Sequence, residues 1–288
     1  MNADGGRLLL VGTPIGNLGD LSPRAVEVLS TADVIVCEDT RVTRKLLSHA
    51  GIRGRRLVAM HEHNEASVAV EVVALVVAGA TVAVVTDAGM PGISDPGSRL
   101  VKAAASAGVS VEVVPGPSAA LAALVVSGLP TDRFCFEGLL TRKMGEKAAR
   151  LAAIAAEPRT VVLFESPRRV RATVDMLASV CGGSRSVAVA REMTKVHEEV
   201  WRGTLEGATA WLSSVEPRGE YVLVIGGAAA PVADDGAISA ALADRLAAGE
   251  DRKTAVGVVA AALGVPKRRV YEIGLRLRNS DGMREGSR

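Results

Sequence analysis

The segment from residue 81 to residue 107 constrains the fold of this chain most. Residues 81–85 (TVAVV) have the length and composition of a buried parallel strand, and residues 98–107 predict a helix. The loop between them, residues 86–97 (TDAGMPGISDPG), contains three glycines, two prolines and two aspartates. Loops at the carboxyl ends of parallel strands bind ligands in open α/β sheets. Because an ordinary turn needs only two or three such residues, we interpret this segment as a binding loop.

The same order of strand, loop and helix recurs along the chain. Apolar runs at residues 7–12, 34–37, 57–60 and 109–114 are each followed by a loop and a helical pattern, which predicts a mostly parallel sheet. A second alternating set, residues 134–225, has short links between its later strands, so part of its sheet is predicted to be antiparallel. Neither GxGxxG nor GxxxxGK[ST] occurs, which disfavours ordinary dinucleotide-binding and phosphate-loop folds.

The chain of 288 residues suits two or three domains. We predict an α/β domain at residues 1–116, a second α/β domain at 117–230 and a helical domain at 231–288. In the last, two helices are followed by a glycine-containing turn and a helix that opens with Lys267, Arg268 and Arg269, as in a helix-turn-helix. From residue 252 onward there are nine basic and three acidic residues, which indicates contact with nucleic acid. A small helical cap with a solvated surface is the alternative.

Cysteine, histidine and hydropathy patterns exclude several classes. The three cysteines are far apart and show no zinc or disulfide spacing, which is typical of a reducing cytoplasm. No signal-peptide core and no apolar run of transmembrane length is visible, so we expect a cytoplasmic protein without membrane contact. His61 and His63 have no apparent third ligand, and no metal site is predicted.

The chemistry of the loops narrows the kind of ligand. No Ser/His/Asp triad and no glycosidase-like carboxylate pair is apparent. What remains is a cleft of backbone-rich loops with a few carboxylates, which suits a neutral or zwitterionic cofactor with a cationic part. S-adenosylmethionine fits that description, although these physical arguments do not single it out.

Seven segments, in this order, resemble the successive motifs of one family. The family is that of the bacterial ribosomal RNA ribose 2′-O-methyltransferases that act on a cytidine of the small-subunit (16S) decoding centre, within the tetrapyrrole-methylase-like superfamily. The resemblance covers residues 7–226, and the tail resembles the family's small helix-turn-helix domain. The segments are residues 12–25 (GTPIGNLGDLSPRA), 38–47 (EDTRVTRKLL), 61–64 (HEHN), 86–97, 114–119 (VPGPSA), 164–169 (FESPRR) and 191–199 (REMTKVHEE).

The resemblance implies a two-domain tetrapyrrole-methylase-like fold, S-adenosylmethionine in the cleft and a homodimer. It places cofactor contacts at Ile15, Asp87, Ala88, Gly89, Ile93, Ser118, Ala119, Glu165 and Met193. Two departures from the family pattern stand out: Met90 replaces the usual Thr, and residues 139–143 (LLTRK) lack the usual Phe-Leu-Pro.

Methyl transfer to a ribose hydroxyl needs in-line geometry and a group that takes the proton. The candidate proton acceptors or orienting groups, which the sequence does not rank, are Glu38, Asp39, Asp95, Glu192 and Glu199. Arg41, Arg168 and Lys195, with the three basic residues of the tail, are candidates for binding RNA phosphates. The expected partner is small-subunit ribosomal RNA or the assembled 30S subunit. The alternatives are a tetrapyrrole or other small-molecule methylase on the same fold, and a ligand-sensing regulator that binds nucleic acid.

Overall fold

A computed structural model describes residues 5–229 and 233–285 of the chain. It divides into two compact units, Met1–Gly227 and Ala228–Arg288. Within the described residues, no helix is long and apolar enough to span a membrane.

The first sheet of the larger unit is entirely parallel, with the strand order β3-β2-β4-β1-β5. Strands and helices alternate along the chain, as the apolar runs predict. The elements are β1 (Arg7–Val11), α1 (Pro23–Thr31), β2 (Val34–Cys37), α2 (Thr40–His49), β3 (Arg56–Ala59), α3 (Glu65–Val77), β4 (Thr81–Val84), α4 (Ser98–Ser106) and β5 (Val111–Val114).

Successive residues of β1 face opposite sides of this sheet, and both sides are covered. Leu8 packs with α3 and α4, whereas Leu9 and Val11 pack with α1 and α2. The neighbouring strands β1 and β4 are thus followed by helices on opposite faces, since α1 lies on one side and α4 on the other. Such a point opens a crevice at the carboxyl ends of the strands, where open α/β sheets bind ligands.

The second sheet of the larger unit is mixed, with the order β6-β7-β10-β8-β9. β6 and β7 are parallel and the other pairs are antiparallel. Helices α6, α7 and α8 cover one face and α5 covers the other. The elements are α5 (Ala119–Val126), β6 (Phe134–Leu139), α6 (Met144–Ala156), β7 (Thr160–Glu165), α7 (Val170–Cys181), β8 (Ser186–Arg191), β9 (Glu199–Thr204), α8 (Leu205–Ser214) and β10 (Tyr221–Ile225).

The smaller unit contains α9 (Asp235–Ala247), α10 (Arg252–Leu263) and α11 (Lys267–Glu285). Gly264, with φ of 62°, ends α10 in the left-handed conformation that glycine adopts without strain. Leu242, Val259 and Val270 bring the three helices into one apolar core. This arrangement agrees with the helix-turn-helix prediction, since the turn at Gly264 separates α10 from α11.

The predicted fold class is confirmed by the first, wholly parallel sheet, the second, mixed sheet and the helices at the end of the chain. The boundaries between domains at residues 116 and 230 stay predictions.

Candidate active site

A cavity of about 380 Å³ lies at the carboxyl edge of the first sheet. Loops after β1, β2, β4 and β5 form one wall, and the ends of β6 and β7, the loop after β8 and the start of β10 form the other. The structure brings all nine predicted cofactor residues to this cavity, although they come from five separate segments: Ile15, Asp87, Ala88, Gly89, Ile93, Ser118, Ala119, Glu165 and Met193.

The loops after β1 and β4 are joined by a short antiparallel bridge. The Thr13 N–H donates to the Gly89 carbonyl (2.9 Å), and the Gly89 N–H donates to the Thr13 carbonyl (3.1 Å). The Thr13 hydroxyl also donates to the Thr86 carbonyl at 3.2 Å. Gly89 has φ of 81°, which an L side chain rarely adopts, so the sequence needs glycine at this point of the binding loop.

The binding loop is anchored at its other end by Glu65, which lies at the start of α3. This buried carboxylate accepts hydrogen bonds from the backbone N–H groups of Gly97 (2.9 Å), Arg99 (2.8 Å) and Leu100 (3.4 Å). Gly97 has no side chain to cap α4, so Glu65 satisfies the free N–H groups of its first turn from a different helix. This role could not be predicted from the sequence, because it depends on how α3 packs against α4.

The cavity is acidic, and none of its lining residues is a cation. The carboxylates of Glu38, Asp87, Asp95, Glu165 and Glu220 contribute to its wall. Burial, together with the charges of Glu38, Asp87 and Glu220, raises the pKa of Asp95 to about 6. Burial is also the main cause that raises the pKa of Asp87, which the backbone N–H of Asp39 partly offsets.

Glu38 and Asp95 are linked through a buried threonine between β4 and the binding loop. The Thr86 hydroxyl donates to Glu38 Oε2 at 3.1 Å. Thr86 also lies close enough to Asp95 to oppose part of the rise in that carboxyl's pKa. Two of the five predicted proton acceptors, Glu38 and Asp95, therefore lie together at the cavity.

The other three predicted proton acceptors do not line the cavity. Asp39 caps α2 and pairs with Arg41 (2.6 Å), and the hydrogen bonds from Arg41 lower its pKa to about 2. The hydrogen bond from Lys195 lowers the pKa of Glu192, and Glu199 pairs with Arg191 at 3.3 Å. These three carboxylates are held in ion pairs, which favours a structural role over a role as proton acceptor.

Glu165 lines the cavity with its charge already satisfied. Its carboxylate accepts from the Ser166 N–H (2.8 Å) and the Thr173 hydroxyl (2.7 Å), and it pairs with Arg169 at 3.1 Å. It therefore shapes the wall and fixes the loop after β7.

The predicted RNA-binding cations differ in availability. Arg41 is paired with Asp39, and the Lys195 ammonium lies between Glu192 (2.8 Å) and Glu220 (2.7 Å). In the smaller unit Arg268 pairs with Glu272 and Arg269 pairs with Asp235. Arg168 and Lys267 make no ion pair with a described residue.

Several residues of the cavity were not named as site residues from the sequence: Ser94, Phe164, Ser166, Glu220, Tyr221 and Val222, as well as Met90 and Leu139, which were noted only as departures. Tyr221 pairs with Glu165 on β7 and with Arg191 on β8, because β10 runs antiparallel to both strands. An antiparallel strand places its start where its neighbours end. An antiparallel β10 beside β7 and β8 would therefore have predicted that Glu220 and Tyr221 lie at the cavity.

The cavity thus combines two kinds of surface. Ile15, Phe164, Met193 and Val222 offer apolar contact, and the carboxylates offer negative charge. The arrangement is suited to a ligand with an apolar, flat part and a cationic part. Among the described residues no group of three His, Cys, Asp or Glu side chains is placed to hold a metal ion.

This fold and site define a protein of the tetrapyrrole-methylase class, and residues 7–209 match the family Tetrapyrrole (Corrin/Porphyrin) Methylases. A uroporphyrin-III C-methyl transferase from Thermus thermophilus, in a structure complexed with S-adenyl homocysteine, superimposes with a TM-score of 0.55. The match covers 77% of this chain and 97% of that chain at 22% identity, and shows the shared fold.

Two curated relatives extend over nearly the whole chain. Both are called ribosomal RNA small subunit methyltransferase I: one from Synechocystis (45% identical, 96% of this chain, 100% of the relative) and one from Mycobacterium tuberculosis (47%, 96% and 97%). The chain belongs to this methyltransferase family, which confirms the predicted family and enzyme class.

Proposed function

We propose that this chain transfers a methyl group from S-adenosylmethionine to the ribose 2′-hydroxyl of a cytidine in small-subunit ribosomal RNA. The observation that carries the proposal is the acidic, cation-free cavity in a member of this family. The relatives' name supplies the RNA. The cytidine and the 2′-hydroxyl come from the resemblance of the seven sequence motifs.

The cavity fits this cofactor. A volume of about 380 Å³ lies in the range of small-molecule sites. Asp87 provides negative charge for a sulfonium or an amino group, and Ile15, Phe164 and Met193 provide apolar surface for a nucleoside base. When bound, the cofactor supplies an electrophilic methyl group.

Asp95 is the carboxylate best suited to take the proton from the ribose hydroxyl. A base works best when its pKa lies near the working pH, and that of Asp95 is raised to about 6. Glu38 also lines the cavity and is held by the Thr86 hydroxyl, so it is the second carboxylate near the acceptor.

Methyl transfer from labelled S-adenosylmethionine tests the proposal. We expect label in 2′-O-methylcytidine after digestion of small ribosomal subunits, or of naked ribosomal RNA, that have been incubated with the enzyme. This position is the one that the resemblance of the seven motifs implies, and transfer to it requires the ribose oxygen to lie in line with the methyl group. Label on a cytosine base would contradict the ribose assignment, and label found only in a tetrapyrrole precursor would contradict the RNA substrate.

We also propose a homodimer that works in the cytoplasm, where bacterial ribosomal RNA is made. Helix α5 leaves Leu121 and Val125 exposed along a shallow groove that also includes Ile15 and Ser118. Exposed apolar patches of this kind mark association surfaces. Light scattering of the wild type should give twice the mass of one chain. The variant Val125→Glu, which places a charge in the groove, should give the mass of a single chain. A wild-type protein with the mass of a single chain would contradict the dimer.

A further inference from the structure

The mouth of the cavity differs in charge from its interior. Five carboxylates and no cation line the interior. Arg169 and Lys195 offset two of these carboxylates, Glu165 and Glu220, from behind the wall. A phosphodiester that entered would still lose its hydration and meet the other three, which is unfavourable at short range. If the substrate is RNA, as proposed above, its backbone must stay outside while one nucleoside reaches in.

Three loops meet at this mouth. The Ser94 hydroxyl lies close to Gly138, so the binding loop approaches the end of β6. Arg169 Nη2 donates to the Leu140 carbonyl at 2.6 Å and Arg169 Nε pairs with Glu165, which joins the loop after β6 to the loop after β7. These contacts hold the three loops in one surface.

The surface is apolar where it meets the cavity. Ile93 and Leu139 both line the cavity, yet they are 47% and 51% exposed, so they lie at its opening. Met144 begins α6 a few residues after Leu139 and is 80% exposed. Large apolar side chains exposed at a cavity mouth are surfaces on which an unstacked base can lie.

The same loops carry free positive charge. Arg142 lies between Leu139 and Met144, and Arg168 follows Ser166 of the cavity wall. Both are exposed, and neither side chain forms an ion pair or hydrogen bond with a described residue. In contrast, Lys143 pairs with Glu146 at 3.1 Å. Arg142 and Arg168 therefore remain available for phosphates.

We propose that Ile93, Leu139, Arg142, Met144 and Arg168, together called the rim, form the surface that receives the acceptor RNA. The rim holds a single-stranded segment with one unstacked nucleotide, whose phosphates contact the two arginines and whose ribose enters the acidic cavity. A paired helix would not present an isolated nucleoside in this way. This inference rests on the proposed function, because it names how that site recognises its substrate.

The test compares Arg142→Ala/Arg168→Ala with Arg53→Ala. Arg53 is exposed in the α2–β3 loop, at the opposite edge of the first sheet, and makes no ion pair with a described residue. Binding of small-subunit ribosomal RNA is measured against salt concentration. In the double variant the slope of log affinity against log salt should fall by about 1.4, at about 0.7 per phosphate contact on a single strand. We expect the KM for RNA to rise at least tenfold, with the calorimetric affinity for S-adenosylmethionine unchanged.

Each outcome has a distinct meaning. A double variant that matches Arg53→Ala in salt slope and KM, while the wild type methylates RNA, overturns the rim and leaves the proposed function standing. A wild type that binds RNA through these arginines without methylating it supports the rim and contradicts the proposed reaction. Equal affinity for a cytidine-containing single strand and its matched duplex overturns the unstacked nucleotide. Met144→Ser, with both arginines intact, should raise the KM for RNA without changing the salt slope.

Discussion

Replacement of Asp95 by Asn should lower the rate of methyl transfer at least a hundredfold and at the same time stabilise the fold. The rate falls because Asn cannot accept a proton, and a positioned general base contributes about 10²- to 10⁴-fold. Single-turnover measurements with saturating S-adenosylmethionine isolate this step. Asp132→Asn is the matched control, since Asp132 is exposed before β6 and does not line the cavity.

The gain in stability follows from the raised pKa of Asp95. Because the pKa in the folded protein (about 6) is above the ordinary 3.8, the ionised form is disfavoured in the fold. The folded state therefore loses stability as the pH rises from about 4 to about 6, and the full cost remains at higher pH. Asn removes this cost, which is about 2 kcal/mol after allowance for partial exposure. Thermal unfolding should show a higher Tm for the variant at pH 8 and a smaller difference at pH 4.

The same ionisation sets the pH dependence of the reaction. Asp95 accepts a proton only when it is deprotonated, so kcat/KM for the wild type should rise with pH through about 6 and then level off. The inflection should be absent in the residual activity of Asp95→Asn. If the variant keeps both the wild-type rate and the inflection, Asp95 is not the proton acceptor, and Glu38 becomes the next residue to replace.

The loops of the cavity could be predicted from the sequence because their chemistry is local. Asp87, Gly89 and Ser118 lie in short motifs that directly follow apolar runs, and parallel strands bring their carboxyl ends to one edge. Glu220 could not be found in this way, since it precedes an antiparallel strand and has no motif around it. The role of Glu65 could not be predicted either, because the backbone N–H groups that it accepts from lie at the start of α4, far away in the sequence.

The charged candidates show a different limit of the sequence. Five acids and three bases near strand ends were equivalent as sequence, yet their partners differ in the fold. Asp39 and Arg41 neutralise each other two residues apart, whereas Asp95 and Arg168 are left without an ion-pair partner among the described residues. A side chain's partner is set by packing, so only the structure could separate the paired groups from the free ones.

Replacement of Asp87 should have the largest effect on cofactor binding. This carboxylate follows β4, faces the cavity and is oriented by the N–H of Asp39, which donates to its Oδ1 at 3.1 Å. Asp87→Asn keeps an acceptor oxygen and removes only the charge, whereas Asp87→Ala removes both. We expect the Kd for S-adenosylmethionine to rise about tenfold in the first variant and about a hundredfold in the second, at about 1.4 kcal/mol per factor of ten.

Calorimetry with two ligands then identifies which group of the cofactor Asp87 contacts. S-adenosylhomocysteine keeps the amino group and the ribose but has a neutral sulfur. If Asp87 faces the sulfonium, Asp87→Asn weakens S-adenosylmethionine more than S-adenosylhomocysteine; if it faces the amino group or the ribose, both ligands weaken equally. Asp132→Asn should leave both affinities unchanged. Wild-type affinity for both ligands in Asp87→Ala would contradict the assignment of the binding loop to the cofactor site, because Asp87 is the carboxylate through which the loop is proposed to bind the cofactor.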